Sequence, residues 1–278
     1  MENSTQNVTS QKVIKNQYGT DGNLDSRIRI KKLFSTGKQG WASFLLENFD
    51  LKPACHILEL GCGNAVFWKV VANKLPPGVK LTLSDFSEGM LESAKNNTIG
   101  LNFIENYTVA DAQFLPYGDN EFDIIIANYM LYHVPNVEKA LSEISRVLKP
   151  NGSFFASTFG KNNLKEVTET FRNYNNEIDS VLTEMVAVFG LENGGEMLSK
   201  YFNSVEIKRY ENNLHITSFD SLVDYFLSYQ GMGNISEFIS DNQINRFTNY
   251  LKELFSVHGY FNITQEEGLF VVNGSRKL

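Results

Sequence analysis

Cysteine is almost missing from this chain: Cys55 and Cys62 are the only two in 278 residues. They stand seven positions apart around one predicted strand, a poor geometry for a disulfide and no pattern for a metal, so neither a disulfide framework nor a metal site is expected. Long apolar runs are also lacking, and none approaches the length of a membrane span. Residues Met1 to Gln17 are polar and hold no apolar segment of the secretory kind, so a cytoplasmic setting is expected. The chain has no block of Lys and Arg able to neutralise a run of phosphates. Its 25 basic residues are outnumbered by 32 acidic ones, for a net charge of −7, which argues against nucleic acid as a partner. The local basic stretch Arg27-Ile28-Arg29-Ile30-Lys31-Lys32 alternates with apolar residues and reads as the solvated face of a helix.

What is present is apolar material: 42% hydrophobic residues suffice for one full-sized α/β domain, with a surplus for a cap or lid. Residues 1–16 read as a flexible arm and 17–278 as a single domain, with a binding core over 40–160 and a lid and substrate-side insertion over 161–257. From Leu24 to Phe49 the apolar positions recur at helical spacing. Cys55 to Leu60 is then a short apolar run halted by Gly61-Cys62-Gly63, and a helical stretch runs to Lys74. Val79 to Ser84 alternates as a strand closed by Asp85, with Ser87 as N-cap of the next helix. Phe103–Ala110, Phe122–Ala127 and Ser153–Thr158 read as further strands, and Val137–Leu148 as a helix. Strands alternating with helices at this cadence predict a parallel sheet covered on both faces.

Past Gly160 the rhythm breaks. Ile178 to Phe189 carries an amphipathic stripe, Val205–Ile216 is strand-like, and two helical segments extend to about Val257. Gly268–Val272 closes the chain as an edge or final strand.

Ligands of such sheets bind at the carboxyl ends of the strands, where strand order reverses. Gly61 and Gly63 end the first strand and permit close approach to the main chain, while Asp85, 24 residues beyond Gly61, stands where a ribose-binding carboxylate belongs. The dinucleotide fingerprint would need a third glycine at position 66, where Val66 stands. That departure favours a nucleoside without a pyrophosphate.

More stations follow in order: Ala110-Asp111-Ala112, Leu115-Pro116, Phe122-Asp123, then Asn128-Tyr129-Met130-Leu131-Tyr132-His133-Val134, and Ala140 through Lys149-Pro150-Asn151-Gly152. Over roughly residues 40–160 the series resembles the class I S-adenosylmethionine-dependent methyltransferases, and within them the ubiquinone/menaquinone-biosynthesis group with a type 11 methyltransferase domain. The resemblance implies a Rossmann-like, doubly wound, mostly parallel sheet of seven strands with helical N-terminal and lid segments. It implies methyl transfer to a small-molecule acceptor, with S-adenosylhomocysteine as the product.

By the same resemblance Gly61, Cys62 and Gly63 line the methionine portion of the cofactor and Glu59 helps hold its ammonium. Asp85 takes the ribose, with Phe86 and Met90 near the adenine; Asp111 and Ala112 read the adenine itself. Asn128 and Tyr129 lie beside the transferable methyl, and Tyr18 is the candidate for a second aromatic contribution. His133 is the candidate general base, placed just after the fourth strand. Each residue also has a plainer reading: Asp85 as a helix cap, Asp111 as a turn residue, Cys62 as a small filler, His133 as a shaper of the pocket. Two alternatives for the whole chain stay open: an NAD-dependent oxidoreductase and a cofactor-binding protein without turnover.

Overall fold

The computed structural model describes residues 21–178 and 181–275; the expected arm over 1–16 and Tyr18 lie outside the described residues. In chain order the elements are α1 (Asp21–Phe34), α2 (Trp41–Asn48), β1 (His56–Leu60), α3 (Val66–Val71), β2 (Lys80–Asp85), α4 (Glu88–Asn97), β3 (Ile104–Val109), β4 (Phe122–Asn128) and α5 (Val137–Val147). They continue with β5 (Leu148–Phe159), α6 (Lys165–Tyr174), α7 (Val181–Phe189), α8 (Gly194–Ser199), β6 (Phe202–Ile216), α9 (Phe219–Leu227), α10 (Ile235–Phe238), α11 (Ile244–Ser256) and β7 (Phe261–Ser275).

The seven strands form one sheet in the order β3-β2-β1-β4-β5-β7-β6. The pairs β1–β2, β1–β4, β2–β3 and β4–β5 are parallel, and β7 runs antiparallel to β5. This is the doubly wound, mostly parallel sheet expected. Its order reverses between β1 and β4, which places a crevice beside Leu60 and Asn128.

The chain divides into two compact units. Residues 39–160, 186–210 and 267–275 make one, and its interior explains why the parallel strands were readable as apolar runs. Ile57, Leu58, Leu81, Leu83, Ile125 and Ile126 are buried, because helices cover both faces of a parallel sheet. Phe49, Trp68 and Phe155 are the large side chains closing this core. The other unit comprises residues 21–38, 161–178, 181–185 and 211–266, and has its own aromatic core. There Phe171 of α6 stacks on Phe247 of α11, with ring centroids 5.6 Å apart, and Phe226 of α9 packs edge-on to both.

Four local expectations change. The helical run from Leu24 to Phe49 is two helices, interrupted where Ser35 bridges to Leu214. Ile178 precedes α7 instead of belonging to it. Three helices, not two, follow β6 before residue 257. Lastly, β7 is the final strand but no edge, since it lies between β5 and β6. Its fifteen residues run past the expected stretch at both ends; Glu267 to Asn273 pair antiparallel with β5, and β6 is its neighbour on the other side.

Candidate functional site

The glycine loop after β1 is shaped by two constraints. Gly61 and Gly63 have φ of +64° and +54°, a region that residues with a Cβ rarely adopt. A Cβ on Gly61 would also stand 2.7 Å from Met130 Cβ, so only glycine lets the tail of β4 come this close; the space at Gly63 is open. The loop leans on the end of β2: Cys62 N–H donates to Ser84 O at 3.0 Å, and Gly63 N–H donates to Asp85 Oδ2 at 2.9 Å.

Asp85 thus holds the glycine loop and opens the next helix, since Ser87 N–H donates to its Oδ1 at 2.8 Å and the Ser87 hydroxyl accepts from Met90 N–H to cap α4. Burial raises the Asp85 pKa, against the lowering effect of the Ser87 and Gly63 N–H groups. Each carboxylate oxygen accepts one of these bonds and keeps capacity for a second. Phe86, just beyond, is exposed, and Met90 is half-buried.

Glu59, the last residue but one of β1, is 3% exposed. Its Oε2 accepts the indole N–H of Trp68, on α3, at 2.5 Å. Burial pushes its pKa up to about 8, with Asp85 adding to the rise and Trp68 opposing it. Cys62 is buried beside both carboxylates; burial first, then Glu59 and Asp85, drive its thiol pKa far upward, so it is an inert filler and no nucleophile.

The end of β3 joins this edge through Ala110 N–H, which donates to Asp85 O at 3.1 Å. Asp111 closes a turn by accepting from Gln113 N–H and Nε2, and Ala112 is buried beside it. The following loop is fixed from α5. Arg146 donates to Leu115 O, Tyr117 O, Asp119 and both oxygens of Glu143, and Glu143 Oε2 accepts Leu115 N–H. The Lys139 ammonium, one turn before Glu143, sits 3.0 Å from the centroid of the exposed Phe114 ring.

At the tip of β4, Ser157 of β5 donates to Asn128 Oδ1 at 2.6 Å and accepts Tyr129 N–H at 3.0 Å. That grip holds Tyr129 at φ +55°, a strained conformation for a bulky residue, of the kind costing about 1–3 kcal/mol. Its ring is layered between Trp41 of α2 and Phe159 of β5, at centroid distances of 5.0 and 4.8 Å. The column continues to Phe44 on one side and Tyr132 on the other. Trp41 Nε1 is buried with no hydrogen-bond partner among the described residues, and the Tyr129 hydroxyl is buried against the side chain of Glu267. Burial and then the neighbouring Glu267 carboxylate place the Tyr129 pKa well above its ordinary value, so the phenol stays protonated. His133 ends the helical turn after β4, edge-on to Tyr132 at 4.5 Å, and burial lowers its pKa to about 4.

The structure therefore gathers Glu59, Gly61, Cys62, Gly63, Asp85, Asp111, Asn128 and Tyr129 on one edge of the sheet, with Phe86, Met90, Ala112 and His133 directly after those strand ends. Trp68, Ser157, Met130, Trp41, Phe159 and Arg146 escaped sequence reasoning. Only Trp68 had a signal, since a carboxylate inside an apolar strand demands a buried N–H donor and the next helix carries one.

A family model described as a methyltransferase domain matches residues 51–231. The ubiquinone/menaquinone biosynthesis C-methyltransferase UbiE of Rickettsia akari is 42% identical over 111 residues, 38% of this chain and 45% of that protein. Its counterpart from Rickettsia rickettsii strain Sheila Smith is 35% identical over 137 residues, 48% of this chain and 55% of that protein. The chain thus spans about half the length of the curated relatives it matches. Among solved structures, phosphoethanolamine N-methyltransferase 2 of Haemonchus contortus, in complex with phosphomonomethylethanolamine and S-adenosylhomocysteine, superposes with TM-score 0.58 at 17% identity, covering 95% of this chain and 59% of that one. The YcgJ protein of Bacillus subtilis gives 0.55 at 17% identity, covering 85% and 98%. These structural likenesses are likenesses of fold.

Proposed function

The chain belongs to the methyltransferase-domain family, of the class I S-adenosylmethionine-dependent kind, and on that premise we propose that it transfers a methyl group from S-adenosylmethionine to a small-molecule acceptor. One observation carries the reading: the positive-φ glycine loop is tied through Gly63 N–H to Asp85 at the point where strand order reverses. The open space at Gly63 and the unused lone pairs of Asp85 fit a nucleoside with a free ribose diol. Val66 in place of a third glycine fits the absence of a pyrophosphate.

When bound, the cofactor supplies an electrophilic sulfonium methyl, open to in-line displacement by a nucleophile of the acceptor. The chain's own residues bind and orient. Main-chain groups of Gly61, Cys62 and Gly63 line the methionine end, and Glu59 faces its ammonium. Asp85 accepts from the ribose hydroxyls, Phe86 and Met90 flank the adenine, and Asp111 with Ala112 reads its edge. Asn128 and Tyr129, held by Ser157, border the methyl, and Tyr18 is the proposed further aromatic contact. With the phenol of Tyr129 and the ring of His133 both uncharged near neutrality, alignment and exclusion of water do most of the work. The net charge of −7 supports a small molecule over a polyanion as acceptor.

Calorimetric titration with S-adenosylmethionine, S-adenosylhomocysteine and NAD tests the reading, followed by transfer of labelled methyl to a panel of small acceptors. Uptake of the first two and not of NAD is expected. Failure to bind either would overturn it, and binding without turnover on any acceptor would leave a cofactor-binding protein.

A further inference from the structure

Tyr129 is held from four directions. Ser157 accepts its N–H at 3.0 Å, Trp41 and Phe159 cover the two faces of its ring, and its hydroxyl is buried against Glu267. So firm a hold answers a need, because a bulky residue adopts a φ of +55° only at a cost. Strain of this kind persists where the surroundings over-determine it, and it gathers at ligand clamps. The turn has a visible consequence. It delivers Met130 against the glycine loop, so closely that a Cβ on Gly61 would stand 2.7 Å from Met130 Cβ. The tip of β4 and the loop after β1 therefore meet where strand order reverses.

Ser157 is the polar part of that hold. It stands directly across from Asn128 in the register of β4 and β5, and both bonds of its hydroxyl go to the tip of β4. It donates to Asn128 Oδ1 at 2.6 Å and accepts from Tyr129. At 1% exposure it lies too deep to touch a ligand, so its influence passes through its neighbours. The next residue makes the contrast. Thr158 is as deeply buried, yet its hydroxyl donates to Phe189 O at 2.6 Å, away from the strand tip.

We propose that Ser157 is a positioning residue for the methionine end of the cofactor: it holds the strained turn at Tyr129 that sets the separation of the β4 tip from the glycine loop. The inference rests on the methyl-transfer reading, in which Gly61, Gly63, Asn128 and Tyr129 border that end, and deepens it by naming what keeps the border ready before the cofactor arrives. Without the Ser157 hydroxyl the turn relaxes, and the cofactor must restore it out of its own binding energy. The ribose and adenine, assigned to Asp85 and to the turn at Asp111, do not draw on this hold.

The test uses the full chain and two probes that differ at one end: S-adenosylhomocysteine, and adenosine, which has the same nucleoside and no methionine. Ser157→Ala should weaken S-adenosylhomocysteine about tenfold, the worth of one hydrogen bond, and leave adenosine within about twofold. In the same variant the NMR resonance of the isotope-labelled methyl of bound S-adenosylmethionine should move from its wild-type position. Ser157→Thr keeps the hydroxyl and should restore both readings, whereas Thr158→Val, which removes the neighbouring hydroxyl, should disturb neither. Ser157→Cys keeps the volume and weakens both bonds, so it should show the pattern of Ser157→Ala in smaller measure even where the Ala variant does not fold. Unchanged S-adenosylhomocysteine affinity in the Ala and Cys variants, adenosine weakened in step with it, or the same pattern in Thr158→Val would overturn the proposal. Wild-type binding is measured first, and its absence would instead strike the methyl-transfer reading.

Discussion

Trp68 donates its indole N–H to Glu59 Oε2 at 2.5 Å, joining the helix after the glycine loop to the strand before it. The contact supplies the donor that a fully buried carboxyl needs, yet burial still outweighs it and leaves the pKa at about 8. Near neutral pH the group is mostly protonated until a cation arrives. Trp68→Phe should therefore destabilise the fold by about 1–3 kcal/mol for the orphaned acceptor, with a further cavity cost, read by chemical denaturation.

The same shift sets a pH dependence. A carboxyl whose folded pKa is raised from 4.5 to about 8 contributes stability that is complete below its unfolded pKa and is lost as pH rises through the folded one. Stability should decline across that window, and Glu59→Gln should flatten the decline. S-adenosylhomocysteine, carrying an ammonium, should release a proton on binding near neutrality. Calorimetry in two buffers of different ionisation heat would detect it, and Glu59→Gln should abolish it.

His133 has the opposite sign. Its folded pKa is depressed from 6.5 to about 4, so its contribution is present above the unfolded value and is lost as pH falls through the folded one. Replacement by Gln should make the protein less sensitive to acid over that interval in thermal melts. In the wild-type enzyme no rate inflection at the ordinary histidine pKa should trace to this residue, and turnover in the Gln variant checks that directly.

Asp85 holds the glycine loop as well as any ribose, so its replacements separate the two roles. Asp85→Asn keeps one acceptor oxygen, and Asp85→Ala keeps none for Gly63 and Ser87. Both should weaken S-adenosylhomocysteine by tenfold or more, since a charge-assisted bond contributes about 1.5–3 kcal/mol. Only the Ala variant should also lower the melting temperature clearly. Unchanged cofactor affinity in both would remove the ribose assignment.

Arg146 grips Leu115, Tyr117, Asp119 and Glu143 at once, a task suited to a planar fork of donors and not to an ammonium. Arg146→Lys should cost about 1–3 kcal/mol of stability by orphaning carbonyl acceptors in the loop after β3. Hydrogen exchange should localise the loosening to residues 113–121. Uniform loss of protection across the sheet would contradict that picture.

Much of this was legible in the residues. β1 and β4 announced themselves because strands covered on both faces are continuous apolar runs, and Ser87 caps the helix it precedes. The split between α1 and α2 was hidden because helical spacing persists on both sides of the break, and what interrupts it is a bridge from Ser35 to Leu214, far along the chain. β7 could be recognised as a strand, but no local pattern told that it would insert between β5 and β6, because sheet order is a matter of long-range pairing.

Sequence alone determined the alternation of strands and helices, the glycines at the end of β1 and the acid at the end of β2, because these follow from local periodicity and from backbone conformations few residues can adopt. Tertiary structure alone decided that Trp68 would satisfy Glu59, that Ser157 would hold Tyr129, and that Trp41 would come to lie on its ring. Those partners stand 9, 28 and 88 positions apart in the chain, and only burial in a common interior, where an unmet polar group or an unfilled space is costly, brings them together.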